Sequence, residues 1–310
     1  MWKLGSRRSA YVSQLCQAET ILAKGPTNAE KRTLKIMNTQ SQNPQSREKE
    51  SPRSSKERTG IHSQKVAIIT ASTTGIGLAI ARRLAEDGAH VVISSRKQDN
   101  VEKAVKQLQS ENLSVTGITC HAAKEEDRER LVNTALQKYG RIDFLICNAA
   151  VNPHVGQILD STEDQWKKIF DVNVISTFLM AKLVVPHLKK HGSGSIVLIS
   201  SVGAYIPYEM FGPYCVSKTA LLALTKALTP ELLAMNIRVN CVVPGFFKTA
   251  FSRVLWEEET MKSQVMTHFK FSRMADSAEC AGIVSFLCST DASFISGENI
   301  VVAGGGLSRL

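Results

Sequence analysis

Tyr214 and Lys218 lie four residues apart in the stretch PYCVSKTALLALTKAL, which has the composition and length of a helix. Residues at i and i+4 share one face of a helix, so the phenol and the ammonium can converge on one point. A free phenol ionises near pH ~10, and a nearby cation lowers its pKa. We therefore predict that Tyr214 donates a proton to a substrate oxygen, or takes it back in the reverse direction.

Ser201 is the third candidate for this chemistry, because it ends the apolar run GSIVLISS thirteen residues before Tyr214. Its hydroxyl would bind and orient the same substrate oxygen. Tyr205 and Tyr208 are also close in sequence, but the residues four positions after them carry no positive charge. On its own, a tyrosine four residues before a lysine is more often a packed ring beside a solvated amine.

The elements that must position these residues are strands and helices in alternation from residue 65 onward. Strands that read as continuous apolar runs are buried on both faces of a sheet. Alternation with helices predicts an α/β fold: one doubly wound, Rossmann-like domain with a seven-stranded parallel sheet covered by helices on both faces. The predicted strands are KVAIIT, HVVISS, SVTGITC, IDFLICNA, GSIVLISS, IRVNCVVPG and NIVVAGG, and the predicted helices lie near 75–87, 98–110, 124–138, 162–190, 213–234 and 276–289.

TASTTGIG, residues 70–77, follows the first strand and precedes a helix, as a phosphate-binding turn does. Ala71 stands where the first glycine of such a turn is usual, and a negative φ there would make the substitution cheap. The hydroxyls of the turn, including Ser72, would lie near anionic oxygens. The predicted cofactor-binding residues of the turn are Ala71, Ser72, Thr74, Gly75, Ile76 and Gly77.

Ser95 and Arg96 end the second strand, where a carboxylate would bind the 2′-hydroxyl of NAD and repel a 2′-phosphate. A hydroxyl followed by a planar cation suits the 2′-phosphate instead, so the predicted cofactor is NADP(H). The other interpretation is an ordinary surface arginine at the start of a solvated helix.

The net charge of +10 is concentrated near the N-terminus. Residues 1–60 hold 12 Lys and Arg against 5 Asp and Glu, whereas the remaining 250 residues hold 26 against 23. We expect 1–60 to be a disordered basic leader and 61–310 to be the catalytic domain. A nucleic-acid partner is not expected, because the body has no basic patch interleaved with aromatic residues.

Seven scattered cysteines, an odd number without a CxxC motif, favour reduced thiols over a disulfide framework or a metal site. No uncharged apolar stretch reaches the ~18 residues that a membrane span needs. The run VNVISTFLMAKLVVP contains Lys182 and ends at Pro186.

From about Lys65 to the C-terminus, the chain resembles the short-chain dehydrogenase/reductase family. The motifs that carry the resemblance are TASTTGIG, CNAA at 147–150, Asn173 in DVNV, Ser201, YCVSK at 214–218 and NCVVPGFFKT at 240–249. Further stretches, among them HVVISSRK and VSKTALL, are similar to the branch that contains NADP-dependent retinal and dicarbonyl reductases.

The resemblance implies further roles. Asn173 would hold a water that links Lys218 to solvent and would be the fourth catalytic residue. Asn148 would line the cofactor groove, and Gly245 and Thr249 would lie beside the nicotinamide and the pyrophosphate. Taken alone, Asn173 could simply cap or bend a helix, and Pro244-Gly245 could be a strand-ending turn. The resemblance also implies a homotetramer built through the helices near 162–190 and 213–234.

The chain departs from the family pattern at two positions. His121 stands where the family usually has an aspartate that hydrogen-bonds to the adenine of the cofactor, so this hydrogen bond is in doubt. Ala150 replaces a glycine, at little cost if its φ is negative.

These observations predict an NADPH-dependent carbonyl reductase or dehydrogenase. Segments 151–160, 204–212 and 246–274 would cover its pocket, and their apolar residues suit an apolar ketone, aldehyde, dicarbonyl or the matching alcohol. The expected pocket residues are Ile206, Tyr208, Met210, Phe211, Phe246, Phe247, Phe251, Leu255 and Trp256. The alternative is a protein of the same fold that has lost turnover and acts through partners, with a nuclear location.

Ser308-Arg309-Leu310 ends the chain after a glycine run and keeps each element of the S-K-L peroxisomal signal. We expect recognition by the peroxisomal import receptor and residence in the peroxisome. The basic leader offers a mitochondrial presequence as the competing interpretation, although Glu19 counts against it.

Overall fold

The computed structural model describes residues 60–270 and 273–306. The basic leader, apart from its last residue, and the tail Ser308-Arg309-Leu310 therefore lie outside the described residues. Seven parallel strands form one sheet in the order β3-β2-β1-β4-β5-β6-β7. They are β1 Val66–Ile69, β2 His90–Ser95, β3 Val115–Thr119, β4 Phe144–Cys147, β5 Gly194–Ile199, β6 Ile237–Pro244 and β7 Asn299–Val302.

Both faces of this sheet are buried, which explains why the strands are continuous apolar runs. In β1, Val66 and Ile68 pack into one hydrophobic core while Ala67 and Ile69 pack into the other. The alternation follows from the strand geometry, since successive side chains point to opposite faces. The predicted doubly wound fold is confirmed.

Helices cover the two faces. On one face α3 Glu125–Tyr139, α5 Ser176–Lys190 and α6 Gly212–Leu233 contribute to the core, and on the other α1 Gly75–Glu86, α2 Gln98–Ser110 and α8 Ala278–Cys288 do so. The shorter helices are α4 Glu163–Phe170 and α7 Glu259–Phe269. Strand β1 lies between β2 and β4, so the chain reverses its winding direction there and opens a crevice at the carboxyl ends of the strands.

Two helical regions differ from the prediction. The expected helix 162–190 is divided into α4 and α5 by a π-helical segment, Asp171–Ile175. Helix α7 was not predicted as a helix, because its segment was interpreted only as a cover for the pocket. Both differences lie next to the candidate site.

The helical run Glu163–Lys190 is long and apolar enough to cross a membrane by length and composition alone. Buried core helices meet the same criterion, and 44% of the apolar window of this run is buried within the fold.

Candidate active site

A cavity of about 460 Å³ opens at the carboxyl ends of β1, β4, β5 and β6. It brings together most of the site residues predicted from sequence, although they come from distant parts of the chain. Those that line it are Ala71, Thr74, Gly75, Ile76, Gly77, Asn148, Ser201, Tyr214, Lys218, Gly245 and Thr249. Four predicted residues are not in its lining: Ser72, Ser95, Arg96 and Asn173.

The N-terminus of α1 points its free backbone donors toward this cavity. Thr74 is the N-cap but its side chain makes no capping hydrogen bond, and the first helical bond is from Leu78 N–H to Thr74 O at 3.2 Å. The N–H groups of Gly75, Ile76 and Gly77 come before it, at the positive end of the helix dipole. This arrangement fits a phosphate group.

Two glycines of the turn are required by geometry. Gly75 has a φ of +57°, and a Cβ added at Gly77 would lie 2.5 Å from Asn148 Nδ2 and 2.8 Å from Ala71 O. The close packing of this turn against the end of β4 therefore excludes any side chain at Gly77. A dinucleotide cofactor fits these residues, because backbone can approach its phosphates closely.

Ala71 adopts a φ of +50°, which corrects the expectation of a negative φ at this position. The left-handed conformation brings Cβ close to the following carbonyl oxygen and costs roughly 1–2 kcal/mol. The alanine thus keeps the backbone path of a glycine turn at an energetic cost. Ala150, in contrast, is not among the described non-glycine residues with positive φ, so its replacement of glycine is cheap as expected.

Ser72 requires a second correction. Its hydroxyl donates to Ile69 O at 2.7 Å and accepts from Ser94 N–H at 3.1 Å, and the residue is fully buried. Both bonds join the ends of β1 and β2, so the Ser72 side chain holds the turn and does not face the cavity.

Thr70 and Asn148 anchor the turn to the end of β4. The Thr70 hydroxyl accepts from the N–H groups of Asn148 and Ala149, both at 3.0 Å. Asn148 Nδ2 donates to the carbonyl oxygens of Thr70 and Ala71 at 3.1 and 2.9 Å. The role of Thr70 was missed from sequence, although a hydroxyl at the end of β1 was a usable signal. Asn148 lines the groove as the resemblance implies, and its side chain links the end of β4 to the turn.

The candidate catalytic residues meet at the end of β5. The Tyr214 hydroxyl hydrogen-bonds to Ser201, and Ser201 Oγ accepts from Gly203 N–H at 3.2 Å. Lys218 Nζ lies 5.6 Å from the centre of the Tyr214 ring and donates to Ile199 O at 2.7 Å. The predicted convergence of the phenol and the ammonium is therefore present in the structure.

Burial raises the pKa of Tyr214 above its ordinary value, and the hydrogen bond with Ser201 offsets only part of that rise. This corrects the expectation that Lys218 brings the phenol pKa down in the site as it stands. The physical reason is that the phenol is itself buried, and loss of water disfavours its charged form. Burial likewise lowers the pKa of Lys218 to about 8. Tyr214 is therefore protonated at neutral pH, the form that a proton donor requires.

Asn173 lies within the π-helical segment and is fully buried. Its amide oxygen accepts from Val151 N–H at 2.8 Å, and its Nδ2 donates to Val151 O at 3.1 Å and to Ser217 Oγ at 3.0 Å. Both amide donors are thus committed to protein atoms. The side chain ties the loop after β4 to α6, and the role of Asn173 in holding a water stays a prediction.

Arg96 lines a second cavity of about 280 Å³, with His121, Lys167, Lys168 and two carboxylates among its neighbours. Its side chain is exposed, and no described residue forms an ion pair or hydrogen bond with its guanidinium. Ser95 is partly buried next to it. His121 receives a hydrogen bond from Ala123 N–H at its Nδ1 at 3.3 Å. The Arg96 guanidinium is therefore accessible to an anion.

Apolar side chains form much of the wall beyond the catalytic residues. Six of the predicted pocket residues line the main cavity: Tyr208, Phe211, Phe246, Phe247, Phe251 and Leu255. Ile206, Met210 and Trp256 are not in its lining. Trp256 instead donates from Nε1 to Thr249 O at 3.1 Å, which holds the loop that carries Thr249.

The cysteines within the described residues are six buried thiols, and Cys16 lies outside that part of the chain. Over the same residues, no group of three His, Cys, Asp or Glu side chains is placed to hold a metal ion.

Comparison with known proteins agrees with this geometry. The family model described as enoyl-(acyl carrier protein) reductase matches residues 70–306. Dehydrogenase/reductase SDR family member 4 of Oryctolagus cuniculus is 60% identical over 246 residues, which cover 79% of this chain and 95% of that protein. The human protein of the same name is 58% identical over 246 residues, covering 79% of this chain and 88% of its own. Human dehydrogenase/reductase SDR family member 2, mitochondrial, is 53% identical over 248 residues, with 80% and 88% covered.

Solved structures share the fold. A short-chain type dehydrogenase/reductase from Mycobacterium ulcerans is 28% identical with a TM-score of 0.75, covering 78% of this chain and 90% of its own. A structure from Sinorhizobium meliloti 1021 has 29% identity and a TM-score of 0.75, with 80% and 98% covered. With its nucleotide turn, its Ser201, Tyr214 and Lys218 cluster and these relatives, the chain is an oxidoreductase of the short-chain dehydrogenase/reductase family.

Proposed function

We propose that this protein is an NADPH-dependent carbonyl reductase that acts on an apolar ketone, aldehyde or dicarbonyl, or oxidises the matching alcohol. The observation that carries the proposal is the cluster of Ser201, Tyr214 and Lys218 at the wall of an apolar cavity that continues into the nucleotide turn. When bound, the reduced nicotinamide supplies a hydride to the carbonyl carbon. The residues of the chain supply the proton and hold the oxygen.

Each catalytic residue has one task in this scheme. Ser201, held by Gly203 N–H, donates its hydroxyl proton in a hydrogen bond that orients the carbonyl oxygen. Tyr214 transfers its phenolic proton to that oxygen as negative charge develops on it. The Lys218 ammonium, 5.6 Å from the ring centre, stabilises the phenolate that remains. Lys218, with its pKa lowered to about 8, exchanges protons readily near neutral pH.

A panel of apolar carbonyl compounds and alcohols, run with NADPH and with NADH, tests the activity. We expect steady oxidation of NADPH with diketones and aryl ketones. Absence of turnover with every compound, in a protein shown to bind NADPH, would overturn the proposal.

The preference for NADPH rests on Arg96. Its exposed guanidinium has no hydrogen bond or ion pair with a described residue, and it follows β2 where a 2′-phosphate would lie and where NAD-binding proteins carry a carboxylate. The cavity that it lines holds two lysines as well as two aspartates. Replacing it with a carboxylate, Arg96→Asp, should weaken NADPH binding by roughly 1–3 kcal/mol and shift the preference toward NADH.

The matched control is Lys97→Asp, which makes the same change of charge one residue away. Titration of NADPH into the three proteins compares them directly. Equal NADPH affinities for Arg96→Asp and Lys97→Asp would show that Arg96 has no specific contact with the cofactor.

A homotetramer is proposed on the exposed apolar residues of the two long helices. Ile175, at the end of the π-helical segment, is 46% exposed, Phe178 on α5 is 41% exposed, and Val216 on α6 is 43% exposed. Exposed apolar groups on neighbouring helices suit an interface between copies. The mass measured by light scattering after size exclusion tests this directly, and a monomer would rule it out.

Peroxisomal residence is proposed on the terminal sequence Ser308-Arg309-Leu310. The test is imaging of the protein tagged at its N-terminus, with and without Leu310. We expect punctate peroxisomal signal that is lost without Leu310. Signal in mitochondria or the nucleus, or puncta that persist without Leu310, would contradict the assignment.

A further inference from the structure

Asn152 lies in the loop after β4 and lines the main cavity. The loop is held on both sides of it. Asn173 fixes the backbone of Val151, and Gly156 N–H donates to Met210 O at 3.0 Å as part of a bridge to Phe211. Asn152 is therefore carried on a braced segment, as residues that position ligands usually are.

The amide of Asn152 has no partner among the described residues. Its Oδ1 is buried, with no donor within hydrogen-bond distance, and no hydrogen bond engages its Nδ2. A buried amide oxygen without a partner costs free energy, and such atoms are rare in folded proteins. Since no hydrogen bond holds the amide, rotation about its terminal torsion exchanges the positions of Oδ1 and Nδ2 without loss of a bond.

Most of the other polar side chains of the cavity already have a partner, and the exception, Thr74, lies at the nucleotide turn. Asn148 Nδ2 bonds to the nucleotide turn, Ser200 Oγ donates to Lys218 O at 2.8 Å, and Ser252 Oγ donates to Phe247 O at 2.6 Å. Ser201 and Tyr214 form the catalytic pair. Asn152 is thus a polar group that neither the fold nor the proposed proton transfer employs.

We propose that Asn152 accepts a hydrogen bond from a hydroxyl group that the substrate carries in addition to its reacting carbonyl. The inference rests on the proposed reductase activity and narrows its substrate class to hydroxyl-bearing carbonyl compounds. A hydroxyl supplies the donor that the buried oxygen lacks, and the apolar walls hold the rest of the molecule. An unpartnered acceptor in an apolar pocket discriminates against a substrate without the donor, because that substrate leaves the acceptor unsatisfied.

The experiment compares acetophenone with α-hydroxyacetophenone and para-hydroxyacetophenone, which place the hydroxyl near to and far from the carbonyl. The measurement is kcat/KM with NADPH for the parent and for Asn152→Leu, a side chain of similar size without polar atoms. We expect the parent to favour at least one hydroxyl compound over acetophenone by about tenfold, as one neutral hydrogen bond allows. We expect Asn152→Leu to abolish that preference.

Two further variants sharpen the outcome. Asn152→Asp keeps an acceptor and should keep the preference for the hydroxyl compound. Val155→Ala alters the same wall without involving a polar group and should change kcat/KM for all three ketones by the same factor. If Asn152→Leu does not fold, Asn152→Ala removes the same amide.

A hydroxyl preference that survives both Asn152→Leu and Asn152→Ala, or a parent that treats the three ketones equally, would overturn the inference while the reductase activity stands. Lack of turnover of all three ketones and of the wider carbonyl panel would count against the reductase activity itself.

Discussion

The two ends of the parallel sheet differ in how completely their polar groups are hydrogen-bonded. At the amino end, two clusters of polar side chains, around Asp143 and His62, are extensively hydrogen-bonded. The Asp143 carboxylate accepts from Val66 N–H at 3.0 Å, from Lys65 at 3.3 Å and from Arg141 at 2.8 and 2.5 Å. His62 Nε2 bonds to Ser285, whose hydroxyl donates to Asp87.

At the carboxyl end, the chain leaves polar groups uncommitted and backbone strained. The first turn of α1 is not capped by Thr74, Ala71 adopts a left-handed conformation, and the Asn152 amide has no described partner. Lys218 is a buried cation whose Nζ bonds to a single carbonyl oxygen.

This difference separates stability from function within one domain. A paired buried group lowers the free energy of the folded state relative to the same group left unpaired. A group left unpaired costs stability and is free to bind a ligand. The comparison predicts that substitutions at the two ends change different measured quantities, and four experiments test this.

The largest expected effect is at the carboxyl end. Tyr214→Phe removes the phenolic hydroxyl and leaves the ring packing in place. We expect kcat for carbonyl reduction to fall by at least ~100-fold, while the melting temperature and the NADPH affinity stay near those of the parent.

Tyr205→Phe is the matched control, since it removes a nearby phenol that does not line the cavity. Activity of Tyr214→Phe close to that of the parent would show that the proton donor is another group.

At the amino end, Asp143→Ala should act on stability alone. It leaves the buried Val66 N–H and two cations without their acceptor, which we expect to lower the free energy of unfolding by about 2 kcal/mol. Urea unfolding measures the loss, and the activity per folded molecule should be unchanged.

Glu111→Ala provides the comparison, because its ion pair with Arg82 is on the surface and is screened by solvent, so its loss should lower the free energy of unfolding clearly less. Equal losses in the free energy of unfolding for the two variants would contradict the stabilising role assigned to the Asp143 cluster.

His62 makes stability depend on pH. Burial lowers the pKa of His62 below its ordinary value of 6.5, and the nearby Asp87 only partly opposes this. Below pH 6.5 the unfolded chain therefore binds more protons than the folded one, so stability falls as the pH falls. We expect the parent to lose more stability than His62→Gln between neutral and mildly acidic pH in urea unfolding. Identical pH dependence would exclude His62 as a contributor.

The smallest expected effect is a gain in stability. Ala71→Gly relieves the left-handed strain of the nucleotide turn and should raise the free energy of unfolding by up to about 1 kcal/mol. Ala79→Gly, within α1, should have the opposite sign because glycine destabilises a helix interior by about 1 kcal/mol. Thermal unfolding of both variants measures the pair. Destabilisation by Ala71→Gly would mean that the strain is absent.

Much of the fold could be predicted from sequence, because burial on both faces of a parallel sheet forces long apolar runs. Each predicted strand contains the strand found in the structure. Helix α7 was missed because its aromatic neighbours suggested only a pocket wall. The division of 162–190 at Asp171–Ile175 was not predicted, because π-helical turns are rare and this segment contains no glycine or proline to signal a break.

The sequence by itself determined which residue types are available for chemistry and the order in which strands carry them to one edge. The i to i+4 spacing of Tyr214 and Lys218, and the absence of a carboxylate at the end of β2, depend only on local periodicity and charge. These features survive any change of distant packing.

Only the tertiary structure decided the state of those groups. The bond that the Ser72 hydroxyl accepts from Ser94 N–H, the raised pKa of Tyr214 and the isolation of the Asn152 amide oxygen depend on neighbours far along the chain. The positive φ of Ala71 likewise appeared only in the structure. The physical reason is that burial and hydrogen-bond partners are set by contacts between elements, whereas the sequence specifies directly only what lies within a few residues.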